Sequence, residues 1–332
     1  MNKVFNVLLL AALYSGQSLA SPLASESGWE FKINLSTAYI SSQSQLSTDD
    51  DNAITEDLNN SGKTIVNVMV LPLARISYTL TSLKTQVYIG NSSDQVSNAQ
   101  FQYELGLIQQ FSDDSKLTLA YFPNLPLFNT TWEDPYLIGA ERIKTDEDAQ
   151  GMRLVLENIA GSQFTVKYAY AVSDVDKENS GQSLTSHLTA SDLSLLQRDS
   201  KYHRAELEMN IFMGSNLILK PSLQYTNRSA DGDAHSYDSY VAQLGLLYFQ
   251  QRHTLITTIN TGVNKYSENN PVFDQKQDAD SFSVFSIYSF AQPFSWEAID
   301  FTIIAGYNQV DSEIHFYDQD ALFIATGFTY TY

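Results

Sequence analysis

The chain has 332 residues, with 19 lysines plus arginines against 38 aspartates plus glutamates and a formal net charge of −19. That balance excludes nucleic acid as a partner, because binding phosphate backbones needs a basic footprint. There is no cysteine, so neither disulfides nor a lipid-modified cysteine can contribute to stability or anchoring.

The first element is a leader. Lys3 precedes the apolar run "VLLLAALY" (7–14), and Ser18 and Ala20 are the small residues at the positions a signal peptidase reads. Cleavage after Ala20 is expected, giving a signal peptide (1–20) and one domain (21–332). The apolar run is too short for a membrane-spanning helix, which needs about 20 residues.

Beyond it, apolar residues alternate with polar ones in run after run. "WEFKINLSTAY" sets Trp29, Phe31, Ile33, Leu35 and Tyr39 against Glu30, Lys32 and Asn34. "QFTVKYAYA" and "RAELEMNI" repeat the pattern, and a period of two with many aromatics signals β-strands. Strands are expected near 28–40, 64–81, 85–90, 99–111, 116–122, 151–159 and 163–173. They continue near 201–213, 217–226, 239–249, 253–264, 281–291, 299–308 and 321–332. Pro72 and Pro221 fall inside two of them and predict a bulge or break, since proline cannot donate to a ladder. "SDLSLLQR" (191–198) is the one short helical candidate.

The connections alternate between tight turns (82–84, 112–115, 160–162, 214–216, 250–252 and the longer 292–298) and long polar segments. The long ones (41–63, 91–98, 123–150, 174–200, 227–238, 265–280 and 309–320) hold 28 of the acidic residues and 8 of the basic ones. Short turns at one end and long acidic loops at the other are the organisation of a transmembrane barrel. The expected fold is therefore all-β: an up-and-down antiparallel barrel in the bacterial outer membrane, with about 14 strands and 12 or 16 as alternatives. Its surroundings would be outer-membrane lipid and lipopolysaccharide.

The ending "TGFTYTY" gives the last strand. In lipid every backbone polar group must be paired, so that strand must close onto the first. Phe328, Tyr330 and Tyr332 are expected to face lipid. With Gly327 they resemble the C-terminal signal read by the outer-membrane barrel assembly machinery, although Ala325 stands where a polar residue is more usual. The segments "TWEDPYL" (131–137), "LQRDS" (196–200), "DGDAHSYDSY" (231–240), "NPVFDQ" (270–275) and "HFYDQD" (315–320) resemble an exported Gram-negative family, the domain of unknown function 2860 type. That resemblance implies an outer-membrane β-barrel and carries no catalytic residue.

Three kinds of site are weighed. In the strand register Arg75, Glu104, Arg153, Glu157, Lys167, Arg204, Glu206, Glu208 and Lys220 point inward. They would either tune the selectivity of a water-filled passage or plug it as a salt-bridge network. On the side built from 253–264, 299–308 and 321–332, inward Thr258, Asn260, Gly262, Thr302, Gly306, Gly327 and Thr329 are small or hydroxyl-bearing and are expected to leave space. Asp231, Asp233 and Asp238, and likewise Asp274, Asp278 and Asp280, are weak candidates for calcium, though no EF-hand pattern is present. No other cofactor is implied.

His187, His203, His235, His253 and His315 are the candidate catalytic bases. No nucleophile-elbow serine or HExxH motif accompanies them, so no catalytic residue is assigned. The loop 123–150, with Phe128, Trp132 and Tyr136, is expected to fold over or into the lumen. The functional expectation is a passive, porin-like channel, not an enzyme, passing small neutral or cationic solutes. The alternative is a closed barrel whose acidic loops bind a surface partner or divalent cations, with a hydrolase third.

Overall fold

The computed structural model describes residues 23, 26–92, 102–123 and 130–332. The leader and Phe128 lie outside them.

Sixteen strand segments form one closed antiparallel sheet. They are β1 (Gly28–Gln43), β2 (Thr64–Leu80), β3 (Thr85–Ser92), β4 (Gln102–Gln110), β5 (Lys116–Phe122), β6 (Thr130–Trp132), β7 (Lys144–Glu157) and β8 (Phe164–Val175). Then come β9 (Ser200–Met209), β10 (Ile211–Met213), β11 (Leu217–Ala230), β12 (Tyr237–Gln250), β13 (His253–Tyr266), β14 (Ala279–Ala291), β15 (Ile299–Ser312) and β16 (Gln319–Thr331). Segments β5 and β6 both pair with β7, and β9 and β10 both pair with β11. Each couple is one interrupted strand, so the barrel has 14 strands. It closes between β16 and β1, from Lys32↔Thr331 to Gln43↔Asp320. Tyr332 extends this pairing by exchanging two 2.9 Å backbone bonds with Phe31.

Neither proline makes the expected bulge or break in its own strand. Through Pro72 the β1–β2 register is unbroken, with Leu35↔Pro72 between its neighbours. The irregularity falls instead on the other edge, where the Ala74 amide donates to the Asn91 side chain (2.9 Å) at the end of the β3 ladder. Opposite Pro221 the partner strand is interrupted at Asn210, yet Ser222↔Glu208 and Leu219↔Ile211 keep one register. The missing N–H leaves a gap in the hydrogen bonding and inserts no residue.

Alternation decides which face is which. In β1, Asn34, Ser36, Ala38 and Ile40 are buried while Ile33, Leu35 and Tyr39 are exposed. Around the ring the exposed face carries large apolar side chains such as Val68 (68% exposed), Leu105 and Leu223 (67%). In water such a surface would drive aggregation; in a bilayer it is the lipid face. Aromatic rings edge this band near the tight turns, where Trp29 packs on Tyr78 (centroids 4.9 Å) and Phe301 on Phe328 (5.6 Å). Toward the long loops Tyr225 meets Tyr240 (5.3 Å), and Tyr168 bonds His203. Two such girdles mark the two membrane interfaces. No helix is long and apolar enough to cross a membrane.

Most strands outrun their expected limits at the long-loop end. β7 begins at Lys144 rather than 151, and β11 and β15 each gain four residues. These extensions are polar on both faces, because they stand above the hydrocarbon in water, so period-two hydrophobicity is lost there although pairing continues.

Candidate functional site: the barrel interior

The interior encloses a cavity of about 1170 Å³ that runs along the barrel axis. Its wall has two unlike halves. From β2 through β9 to β11 it is ionic. Gly106 lies opposite Tyr88 across β3–β4, and a Cβ there would meet the Tyr88 ring at 2.2 Å. Glycine thus lets the ring lie flat on the wall, and its hydroxyl donates to Glu104 (2.7 Å). Arg153 holds the same carboxylate through Nε (2.8 Å) and Nη2 (2.6 Å), and Arg75 stacks 3.6 Å over the Tyr88 ring. Further round, Lys167 bridges Glu206 (2.9 Å) and Glu208 (3.2 Å). Arg204 lies 3.6 Å from Glu206, and Lys220 holds the other oxygen of Glu208 (2.7 Å). A chain of alternating charges therefore crosses neighbouring strands along the wall.

All nine lumen residues expected from the sequence, Glu157 included, line this cavity. Their register followed from alternation alone. Three further charged residues and a histidine at the long-loop end fall outside that expectation: Glu147, Arg198, Arg228 and His235. All lie in stretches that read as loop. The period-two continuation Gln224, Thr226, Arg228 was the available signal for one of them. The lining contains eight basic residues (Arg75, Lys116, Arg153, Lys167, Arg198, Arg204, Lys220, Arg228) and six acidic ones (Glu30, Glu104, Glu147, Glu157, Glu206, Glu208). The wall is thus mildly basic although the chain as a whole is strongly acidic.

The other half, from β13 through β16 to β2, is uncharged for the most part and mixes small polar residues with an apolar cluster. The expectation of open space here holds at Thr258 and Asn260, which border the cavity, and is corrected at Gly262, Thr302, Gly306, Gly327 and Thr329, which do not line it. Thr302 and Thr329 do point inward and share a hydrogen bond (3.1 Å). Between such small residues, however, Phe285, Ile287, Ile304 and Phe323 pack with Leu71, Leu73, Ala38 and Ile40 into a buried cluster. Gly306 stands between Phe285 and Phe323 across its two ladders, so its missing side chain seats the rings instead of opening a passage. Gly327 is a close approach, since a Cβ would lie 2.1 Å from the Leu35 carbonyl oxygen. Phe328, Tyr330 and Tyr332 are exposed on the lipid face.

The long loops pack together over one end of the barrel. Tyr136, Leu196, Ile314, Phe316 and Tyr317 form a buried cluster, supported by Leu46, Leu58, Val272 and Phe273. The Tyr136 and Tyr317 hydroxyls are 2.6 Å apart, and Asn270 Nδ2 donates to both (3.1 and 2.8 Å). Trp132, fully buried, donates to the Gln45 carbonyl (3.2 Å) beneath the Arg142 guanidinium, 4.6 Å from its ring. Arg142 is bound by carbonyls of Gln45, Asn52 and Pro135, and burial lowers its pKa to about 10, which leaves it charged at neutral pH. Arg198 makes a bidentate pair with Glu178 (2.7 and 3.0 Å) and donates to Thr131 and the Trp132 carbonyl. Together these contacts form a lid, and Tyr136 and Tyr317 line the cavity on its underside. The stretch 191–198 supplies one helical turn of it, Ala190–Ser194, with a Thr189–Asp192 capping box.

The aspartates weighed for calcium are dispersed. Asp238 accepts from Tyr225 (2.7 Å) and Asn227 (2.9 Å), Asp278 pairs with Lys265 (3.0 Å), and Asp233 sits in a short 3₁₀ turn. Among the described residues no three His, Asp or Glu side chains are grouped to hold a metal ion. Ser236, beside His235 in sequence, bonds the backbone of Ala230 (2.9 Å), so the two are not joined as nucleophile and base.

Residues 28–331 match a family described as "Protein of unknown function (DUF2860)". The chain belongs to that family. No curated protein matches it. Among solved structures it is similar to the outer membrane channel DcaP of Acinetobacter baumannii, with 8% identity, a TM-score of 0.46, and 94% of this chain and 99% of the other covered. It is also similar to a bacterial polysaccharide outer membrane secretin (8% identity, TM-score 0.45, 90% and 98% covered). An anion-selective porin from Comamonas acidovorans is a third (9% identity, TM-score 0.44, 92% and 100% covered). The segments that carry the family resemblance in this sequence meet in the lid: Trp132 and Tyr136, Leu196 and Arg198, Asn270 and Phe273, Phe316 and Tyr317.

Proposed function

We propose that this protein is a passive outer-membrane channel for small polar solutes, with the loop lid as its gate, and not an enzyme. The observation that carries this reading is the continuous polar cavity flanked by an ionic wall and ending beneath packed loops. A wall needed only as a plug gains nothing from so much unfilled volume, since internal voids cost packing energy. The acidic loops favour neutral or cationic solutes at the mouth, whereas the mildly basic lining favours anionic groups once inside.

The second reading is a closed barrel whose loops bind a surface partner or divalent cations. It is supported by the same lid, whose buried tyrosines and paired arginines are those of a fixed surface. Swelling of proteoliposomes in isotonic neutral sugars separates the two. The channel reading expects slow swelling for the native protein and rapid swelling once Phe316 and Tyr317 are both changed to alanine. Folded double-variant protein that admits no sugar would overturn it.

A further inference from the structure

Among the lining arginines and lysines, Arg153, Lys167, Arg198, Arg204 and Lys220 each face a carboxylate at 3.6 Å or less. Arg228, like Arg75 over the Tyr88 ring, has no such partner among the described residues. Its Nε donates to Ser200 Oγ (2.9 Å) and Nη2 to the Arg198 carbonyl (3.3 Å). Among the described residues no carboxylate lies within ion-pair distance of it. Glu147, the acid at this end of the cavity, is engaged with Ser173 (2.9 Å). The guanidinium sits instead among aromatic rings, 5.5 Å from Tyr202 and 5.9 Å from Tyr237, and Tyr237 in turn packs on Tyr266 (5.1 Å).

A cation withdrawn from bulk water with no carboxylate in direct contact, only the more distant field of Glu147, is costly, so its retention on a cavity wall calls for a partner that comes and goes. A second observation points to the same place. His235 lines this end of the cavity, is only 6% exposed, and its Nε2 has no hydrogen-bond partner. Burial and the fields of Arg228 and Arg198 hold the imidazole neutral, so one ring nitrogen carries a proton to donate.

We infer that Arg228 and His235, with the Tyr237 and Tyr266 rings, form a subsite beneath the lid for the oxyanion group of a small solute, a carboxylate or a phosphate. Arg228 offers its unused terminal nitrogen as a charge-assisted donor, His235 offers a neutral one, and the tyrosine rings bound the space beside them. The site lines the same cavity as Tyr136 and Tyr317 of the lid, at its long-loop end. This rests on the channel reading for its physiological meaning but not for its measurement.

The test is calorimetric titration of the folded barrel in detergent with benzoate and with inorganic phosphate, using benzyl alcohol as the uncharged control. Saturable heat is expected for at least one anion and none for the alcohol. Benzoate alone would assign a carboxylate site, and phosphate alone a phosphate site. Arg228→Gln should weaken binding about tenfold or more, the loss of one charge-assisted hydrogen bond. Should that variant fail to fold, His235→Gln, which lies in the loops, should weaken it several-fold, and folding of each is read from heat-modifiable gel mobility. Equal binding by native protein and folded variants, or no saturable anion binding at all, would overturn the subsite. Anion binding without any solute flux would retain the subsite and remove only the channel reading.

Discussion

The two halves of the interior are built on the same strand periodicity and the same lipid-facing exterior, yet they hold together differently. On the ionic side oppositely charged neighbours place one another: Glu208 sits between Lys167 and Lys220, and Glu104 between Tyr88 and Arg153. On the apolar side Phe285, Ile287, Ile304 and Phe323 need only volume. An outward-facing position must be apolar because of the bilayer. An inward-facing one is free to be charged or apolar, and here an ionic network and an apolar cluster occupy opposite walls.

The largest expected effect comes from breaking the ionic side. Glu208→Ala strips Lys220 of its carboxylate and leaves Lys167 with Glu206 alone, which should cost about 3–5 kcal/mol of unfolding free energy. Urea unfolding in lipid vesicles measures it. A loss below about 1 kcal/mol would mean that this wall behaves as exposed surface pairs do. Ile287→Ala on the apolar side should cost about 2–5 kcal/mol, set by how far the cluster collapses. Ile287 borders the cavity but carries no charge, so the ion selectivity of the variant should stay native, whereas Glu208→Ala should shift it.

The barrel itself was legible in the sequence because lipid enforces alternation over every membrane-crossing residue; Leu35, Val68 and Leu223 could not be polar at low cost. Inward residues followed from the same period. What stayed hidden was the strand above the membrane, such as Lys144–Gln150, where water on both faces removes the signal. The apolar wall was hidden for another reason. Phe285 and Phe323 alternate with residues that are themselves apolar or small, so neither face of those strands reads as clearly polar. The lid could not be read either, since its contacts join loops up to 181 residues apart, as Tyr136 and Tyr317 are.

A smaller effect distinguishes the lid from the walls. His235 is held neutral, well below the ordinary imidazole value of 6.5, by burial beside Arg228 and Arg198. In the unfolded or opened loops it takes up a proton near pH 6.5, while in the closed lid it resists. Protons therefore bind the opened form more strongly. The lid is at full stability above that pH and loses it as pH falls from 6.5 toward the depressed native value. Limited proteolysis of the loops should accelerate below pH 6 in the native protein, and His235→Gln should remove that acceleration while leaving the barrel intact. Identical pH profiles would show that His235 is not what titrates.

The most direct test of a gated passage is single-channel recording of refolded protein in a planar bilayer under a salt gradient. The channel reading predicts brief, infrequent openings for the native chain and stable conductance steps for the Phe316→Ala, Tyr317→Ala double variant, with a reversal potential that moves when Lys220 or Glu208 is neutralised. Silence from both proteins, each shown to be folded, would contradict a passage through this barrel and leave the lid's outer surface as the functional face.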